Sequence, residues 1–118
     1  MIGSSQDISV RVGDEVILPC RIEPPVNMEK KTVEWSRPDL KPNLIHLLQN
    51  GHEEHDQDLN PLYKNRTFLF PDQLPNGNMS LKLSRVSLSD NGTYRCSAPE
   101  LSSFTLINLL VGKFYYPS

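Results

Sequence analysis

The chain has 118 residues, 37% of them apolar and 22% charged, and its 12 Lys and Arg against 14 Asp and Glu give a formal net charge of −2. A chain of this length buries one two-layer core but not two, and so near-neutral a balance excludes the basic footprint that nucleic acid or an acidic membrane selects. Ten prolines favour short strands joined by loops over long helices. No apolar run reaches the length that spans a bilayer. Met1-Ile2-Gly3-Ser4-Ser5 has neither the basic start nor the apolar stretch of a signal peptide. Taken alone this argues for the cytosol; the alternative is that Met1 stands where a leader has been removed.

Short runs of alternating apolar residues follow one another along the chain, the period-two signal of half-buried strands. Residues 8–12 read as the first strand. Residues 15–22 place Val16, Leu18, Cys20 and Ile22 on one face, and residues 32–36 do the same with Val33 and Trp35. The run Leu44-Ile45-His46-Leu47-Leu48 is apolar on both parities. Residues 66–69 open another strand, residues 79–83 align Met79, Leu81 and Leu83, and residues 92–98 align Tyr94, Cys96 and Ala98. Residues 104–111 read as the last strand. Turn clusters such as Val12-Gly13-Asp14, Gln49-Asn50-Gly51 and Pro75-Asn76-Gly77-Asn78 punctuate these runs. No helical stripe competes, so the chain reads as all-β with about nine strands.

Cys20 and Cys96 lie on inward faces of different strands, 76 residues apart. Spacing alone does not establish a bridge, and two unpaired core thiols are the alternative. With Trp35 fifteen residues after Cys20, however, the pair resembles the Cys…Trp…Cys pattern of immunoglobulin sandwiches, and Tyr94, two residues before Cys96, resembles their tyrosine corner. Asp90-Asn91-Gly92-Thr93-Tyr94-Arg95-Cys96 looks like the D-x-G-x-Y-x-C signature of V-type domains. The resemblance implies two antiparallel sheets joined by a Cys20–Cys96 disulfide, which stabilises by roughly 4 to 5 kcal/mol in the chain-entropy model. It also implies an Arg66–Asp90 contact that fixes the loop before the Tyr94 strand.

A narrower resemblance covers nearly the whole chain. Val12-Gly13-Asp14-Glu15-Val16-Ile17-Leu18-Pro19-Cys20, Trp35-Ser36-Arg37-Pro38, His46-Leu47-Leu48-Gln49-Asn50-Gly51, Asp56-Gln57, Tyr63-Lys64-Asn65-Arg66-Thr67 and the tail Phe114-Tyr115-Tyr116 are similar to segments of butyrophilin and myelin oligodendrocyte glycoprotein V domains. On this reading residues 1–118 are one domain with its core at about 6–112. Residues 113–118 then lead to a stalk, a second domain or a membrane segment.

In V-type domains the sheet holding the last strand commonly binds other proteins. If Thr105, Ile107, Leu109 and Val111 point inward, alternation turns Phe104, Leu106 and Leu110 outward. That is more apolar surface than solubility requires. The 44–48 run adds an apolar outer face in either register, with Leu48 taken as its outward member. Thr93, Arg95, Ser97, Glu34 and Ser36 are the polar neighbours, and an apolar patch beside an Arg and a Glu is what a protein-binding face carries. The alternative is that Phe114-Tyr115-Tyr116 folds back over the last strand. Three sequons, at Asn65, Asn78 and Asn91, fall outside the strands of this sheet and, with the cysteines, favour secretion.

The end loops, residues 23–30, 49–52 and 99–103, correspond to antibody complementarity loops. The third is short, and the last strand lacks the Gly-x-Gly of a rearranged joining segment, so the chain does not resemble an antigen receptor. His52-Glu53-Glu54-His55 lacks the i, i+4 spacing of a helical zinc site. The acidic run from Glu53 to Asp58 reads as a solvated loop. No arrangement of nucleophile and base, and no phosphate-cradling loop, falls on a suitable element, so no cofactor, metal or catalysis is expected. The resemblance implies an ectodomain at the plasma membrane, an immune regulatory ligand or receptor for a protein on another cell. Homophilic adhesion through a weak homodimer, and a purely structural spacer, are the alternatives.

Overall fold

The computed structural model describes residues 4–54 and 58–112. The tail aromatics Phe114-Tyr115-Tyr116 and the segment His55-Asp56-Gln57 fall outside them. Among the described residues nine strands form: β1 (Ser4–Arg11), β2 (Val16–Leu18), β3 (Val33–Ser36), β4 (Leu44–Gln49), β5 (His52–Glu53), β6 (Thr67–Leu69), β7 (Leu81–Leu83), β8 (Gly92–Ala98) and β9 (Ser103–Gly112). They make a six-stranded sheet ordered β1-β9-β8-β3-β4-β5 and a three-stranded sheet ordered β2-β7-β6. The fold is the expected all-β sandwich, with one ladder of a different sense. β1 runs parallel to β9 over eight paired positions, Ser4 with Thr105 through Arg11 with Gly112, whereas every other ladder is antiparallel.

The core lies between the sheets, where the alternation seen in the sequence is realised. Leu18, Leu81 and Leu83 from the small sheet meet Val33, Trp35, Tyr94, Ile107 and Leu109 from the large one, all at most 1% exposed. Cys20 and Cys96 are disulfide-bonded across the sheets. Trp35 packs beside them, and its indole Nε1 donates to the Met79 carbonyl at 2.9 Å, which satisfies the one polar atom this side chain brings into the core. β2 stops short of the run read from the sequence because Pro19 has no N–H for the ladder. Beyond it the Cys20 N–H donates to Ser80 Oγ at 3.1 Å, while the Cys20 carbonyl accepts from Met79 N at 2.7 Å.

The β3–β4 pairing corrects one expectation. Val33 faces Leu48, Glu34 faces Leu47 and Trp35 faces His46, but Ser36 faces Leu44, so Ile45 is an extra residue opposite the Trp35–Ser36 step. This bulge reverses the parity of the strand. Unbroken alternation from an outward Leu44 would turn Leu48 outward too; instead Ile45, His46 and Leu48 are all buried and Leu44 and Leu47 face out. Leu48, expected on the outer face, is a core residue at 5% exposure, and its burial contributes about 2 kcal/mol. The buried His46 bridges the sheets, its Nδ1 lying 2.8 Å from Thr67 Oγ1.

Candidate protein-binding face

On the outer side of the six-stranded sheet the register aligns two rows of side chains across four strands. One row runs Phe104, Ser97, Glu34, Leu47; the next runs Leu106, Arg95, Ser36, Leu44. Both rows are apolar at each flank and polar in the middle. A shallow recess of about 580 Å³ opens between them, lined in part by Glu34, Ser36, Leu44, Arg95, Ser97 and Phe104. Phe104 and Leu106 are half-buried, and Leu110 further along β9 is 56% exposed. Between them Asn108 accepts from Thr93 Oγ1 and donates to Asp7 Oδ1, both at 2.8 Å. The expected apolar row on β9 is therefore split: Phe104 and Leu106 belong with the recess, and Leu110 stands apart.

Arg95 lies over the Phe104 ring with its guanidinium carbon 4.5 Å from the centroid. The stack leans the cation toward β9 and away from Glu34, its diagonal neighbour on β3. Among the described residues neither Arg95 nor Glu34 has a partner of opposite charge. At one end of the recess, Glu100 accepts from the Thr32 N–H at 3.0 Å and from Thr32 Oγ1 at 2.8 Å, tying the loop before β3 to the β8–β9 turn. Burial pushes its carboxyl up, but these bonds together hold it below the usual range. The face is thus bordered by a braced loop.

At the opposite end a polar network holds the sandwich closed. Arg66 meets Asp90 end on, Nη1 to Oδ2 and Nη2 to Oδ1, each at 2.8 Å, within the ion-pair range expected of the two. Asp90 is 1% exposed and also accepts from the Ser87 N–H at 2.8 Å. Burial drives its carboxyl up, yet the Arg66 and Ser87 bonds outweigh it and hold the group below its ordinary value. The Tyr94 hydroxyl donates to the Asp90 carbonyl at 2.6 Å, which is the tyrosine corner, and lies 2.8 Å from the Tyr63 hydroxyl. Arg37, 5% exposed, completes the network by donating to Tyr63 Oη at 2.9 Å and to the Ser89 carbonyl at 2.7 Å. Its burial weakens the cation, and hydrogen bonds to Asp39 and Tyr63 more than restore it, raising its pKa. Arg37 and Tyr63 are functional parts of this closure that the sequence reading did not single out.

The sequon asparagines lie outside the nine strands. Asn65 is exposed in a turn with φ of 61°. Asn78 uses Oδ1 to accept from the Ser80 N–H and Oγ at 3.1 and 2.6 Å. Asn91 is exposed and accepts from Val111 N at 2.9 Å. Among the described residues no group of three or more His, Cys, Asp or Glu is placed to hold a metal, and no helix is long and apolar enough to cross a membrane.

Two sheets, a bridged cysteine pair over a buried tryptophan, a tyrosine corner and a parallel first-to-last ladder define an immunoglobulin variable-type domain, and residues 3–111 match the model of the immunoglobulin V-set domain family, to which the chain belongs. Among curated relatives, human myelin-oligodendrocyte glycoprotein is 40% identical over 96 residues, 81% of this chain and 38% of that protein. Human V-set domain-containing T-cell activation inhibitor 1 is 35% identical over 86 residues, 72% of this chain and 29% of that protein. The chain therefore spans well under half the length of these relatives. Of solved structures, bovine butyrophilin superposes with a TM-score of 0.81 at 27% identity, over 96% of this chain and 54% of that one.

Proposed function

We propose that this chain is the extracellular protein-binding domain of a butyrophilin-like cell-surface protein, acting as an immune regulatory ligand or receptor through its six-stranded sheet. The observation that carries the reading is the outer face itself, with Phe104 and Leu106 on one flank, Leu44 and Leu47 on the other, and Arg95 and Glu34 between. Apolar anchors around a few charges give both contact area and specificity. The bridged cysteines fit an oxidising compartment, and Asn65, Asn78 and Asn91 would carry glycans clear of this face. The relative named as a T-cell activation inhibitor supports an immune role. Binding is non-covalent, and no side chain on the face is placed as nucleophile and base together.

The test is saturable binding of fluorescent tetramers of the oxidised domain to a panel of leukocyte lines, read by flow cytometry. Leu106→Asp and Leu47→Asp are each expected to weaken binding at least ~tenfold. Leu62→Asp, at a position 61% exposed and away from the sheet face, leaves it unchanged. Equal binding by all three variants overturns the assignment. Homophilic adhesion through the same face is the second reading, favoured by the opposite charges of Arg95 and Glu34 on adjacent strands.

A further inference from the structure

We infer that Asn91 carries an N-linked glycan whose first sugar lies on Leu110, so that attached carbohydrate, and not a protein partner, covers the foot of the six-stranded sheet. This rests on the extracellular reading and gives one of the three sequons a structural task. The β8–β9 ladder ends with Gly92 opposite Leu109, so Asn91 stands opposite Leu110. Leu110 is 56% exposed and shares the outer side of β9 with Asn108 and Leu106. Its partner across the β1–β9 ladder is Ser9, exposed itself and too short to cover a leucine. Leu88, 52% exposed, lies three residues before Asn91, and its carbonyl accepts from the Asn91 N–H at 3.2 Å. One exposed asparagine thus adjoins two exposed leucines.

The amide of Asn91 is held in place. Its Oδ1 accepts from the Val111 N–H at 2.9 Å, standing in for the backbone acceptor that β8 no longer supplies. Glycosylation of the sequon Asn91-Gly92-Thr93 uses the other amide atom. Nδ2 attacks C1 of a lipid-diphosphate-linked oligosaccharide, the lipid diphosphate leaves with the electrons of the C1–O bond, and Nδ2 gives up one proton. The oxygen and its bond to Val111 are untouched. Asn78 is half-buried, with Oδ1 taken by Ser80, and Asn65 is exposed in a turn; Asn91 is the sequon asparagine that joins exposure to an anchored amide. That anchor keeps the first sugar beside Leu110, and laying the C–H face of its ring on the leucine removes apolar surface from water. The bonded pair Thr93 and Asn108 separates this foot from the recess, which the first sugar leaves open.

The experiment compares the domain secreted from human cells fed methyl-13C leucine with the same sequence made without glycans in bacteria and oxidised on refolding. Glycopeptide mass spectrometry reads occupancy at each sequon, and the glycans are then trimmed enzymatically to a single N-acetylglucosamine. Asn91 is expected to be occupied. The Leu110 methyls, assigned by the loss of their signals in Leu110→Val, are expected to show nuclear Overhauser contacts to the sugar. The Val111 amide is expected to exchange with solvent at least ~fivefold more slowly than in the glycan-free domain, while the amides of β7, remote from Asn91, exchange at the same rate in both. An empty Asn91 overturns the inference. So does an occupied Asn91 without the Leu110 contact, or with an unchanged Val111 rate. Any of these results with glycans on Asn65 or Asn78 leaves the extracellular reading in place, whereas glycans at none of the three sequons count against that reading as well.

Discussion

Replacing Arg66 by Ala removes both hydrogen bonds, each 2.8 Å, that the guanidinium makes to Asp90, and leaves a carboxylate at 1% exposure with the Ser87 N–H still bound to it. Breaking a buried ion pair by removing one partner costs about 3–5 kcal/mol, because the remaining charge is uncompensated. The Arg66 side chain is 13% exposed, so water reaches the vacated space, and the low end of that range applies. The carbonyls of Leu62, Ser84 and Arg85 also lose a donor but lie where solvent replaces it. The expected loss is about 3 kcal/mol, which for a chain of this size lowers Tm by roughly 10 °C. Urea titrations followed by the fluorescence of Trp35, the only tryptophan and fully buried, measure it directly.

The same variant carries a pH signature. In the wild type Asp90 titrates below its unfolded value, so the pair contributes stability that is complete above about pH 4 and is lost as pH falls through the folded pKa. In Arg66→Ala burial dominates and the folded pKa lies above the unfolded one, so the variant loses stability as pH rises through that interval. The gap between the two proteins therefore narrows on acidification from neutral pH to below about pH 4. A cost under ~1 kcal/mol at neutral pH, the value of an exposed pair, or a gap that does not narrow, refutes the reasoning.

The bulge at Ile45 predicts opposite outcomes for adjacent leucines: Leu48→Asp places a charge in the core and costs about 3 kcal/mol or more, while Leu47→Asp stays within ~1 kcal/mol of wild type in the same urea titration. Similar costs at both positions would mean that the parity of β4 is not reversed. At Gly92, with φ of +155°, an added Cβ would lie 2.8 Å from Arg37 Nη2, so Gly92→Ala should destabilise by about 1–3 kcal/mol. An unchanged urea midpoint would show that Arg37 moves aside without loss.

Much of the frame is legible in residue order alone. Cys20, Trp35, Tyr94 and Cys96 announce themselves because each sits on the inward parity of a local run, and Arg66 and Asp90 because a motif ties them to that frame. Their contacts follow once the runs become strands. The outer face is legible only in part. Phe104 and Leu106 face out because β9 alternates without interruption, whereas β4 does not, and so Leu47 takes the place expected of Leu48. A bulge depends on how one strand fits another, not on the residues of the strand itself. The same holds for the parallel sense of β1 on β9 and for Asn108 bridging Thr93 and Asp7. It also holds for Arg37 reaching Tyr63 across 26 residues of chain and for Arg95 settling on Phe104 instead of Glu34. Alternation is a local property that residue order carries. Register and the choice of partner are set by packing between segments distant in the chain, and only the folded molecule decides them.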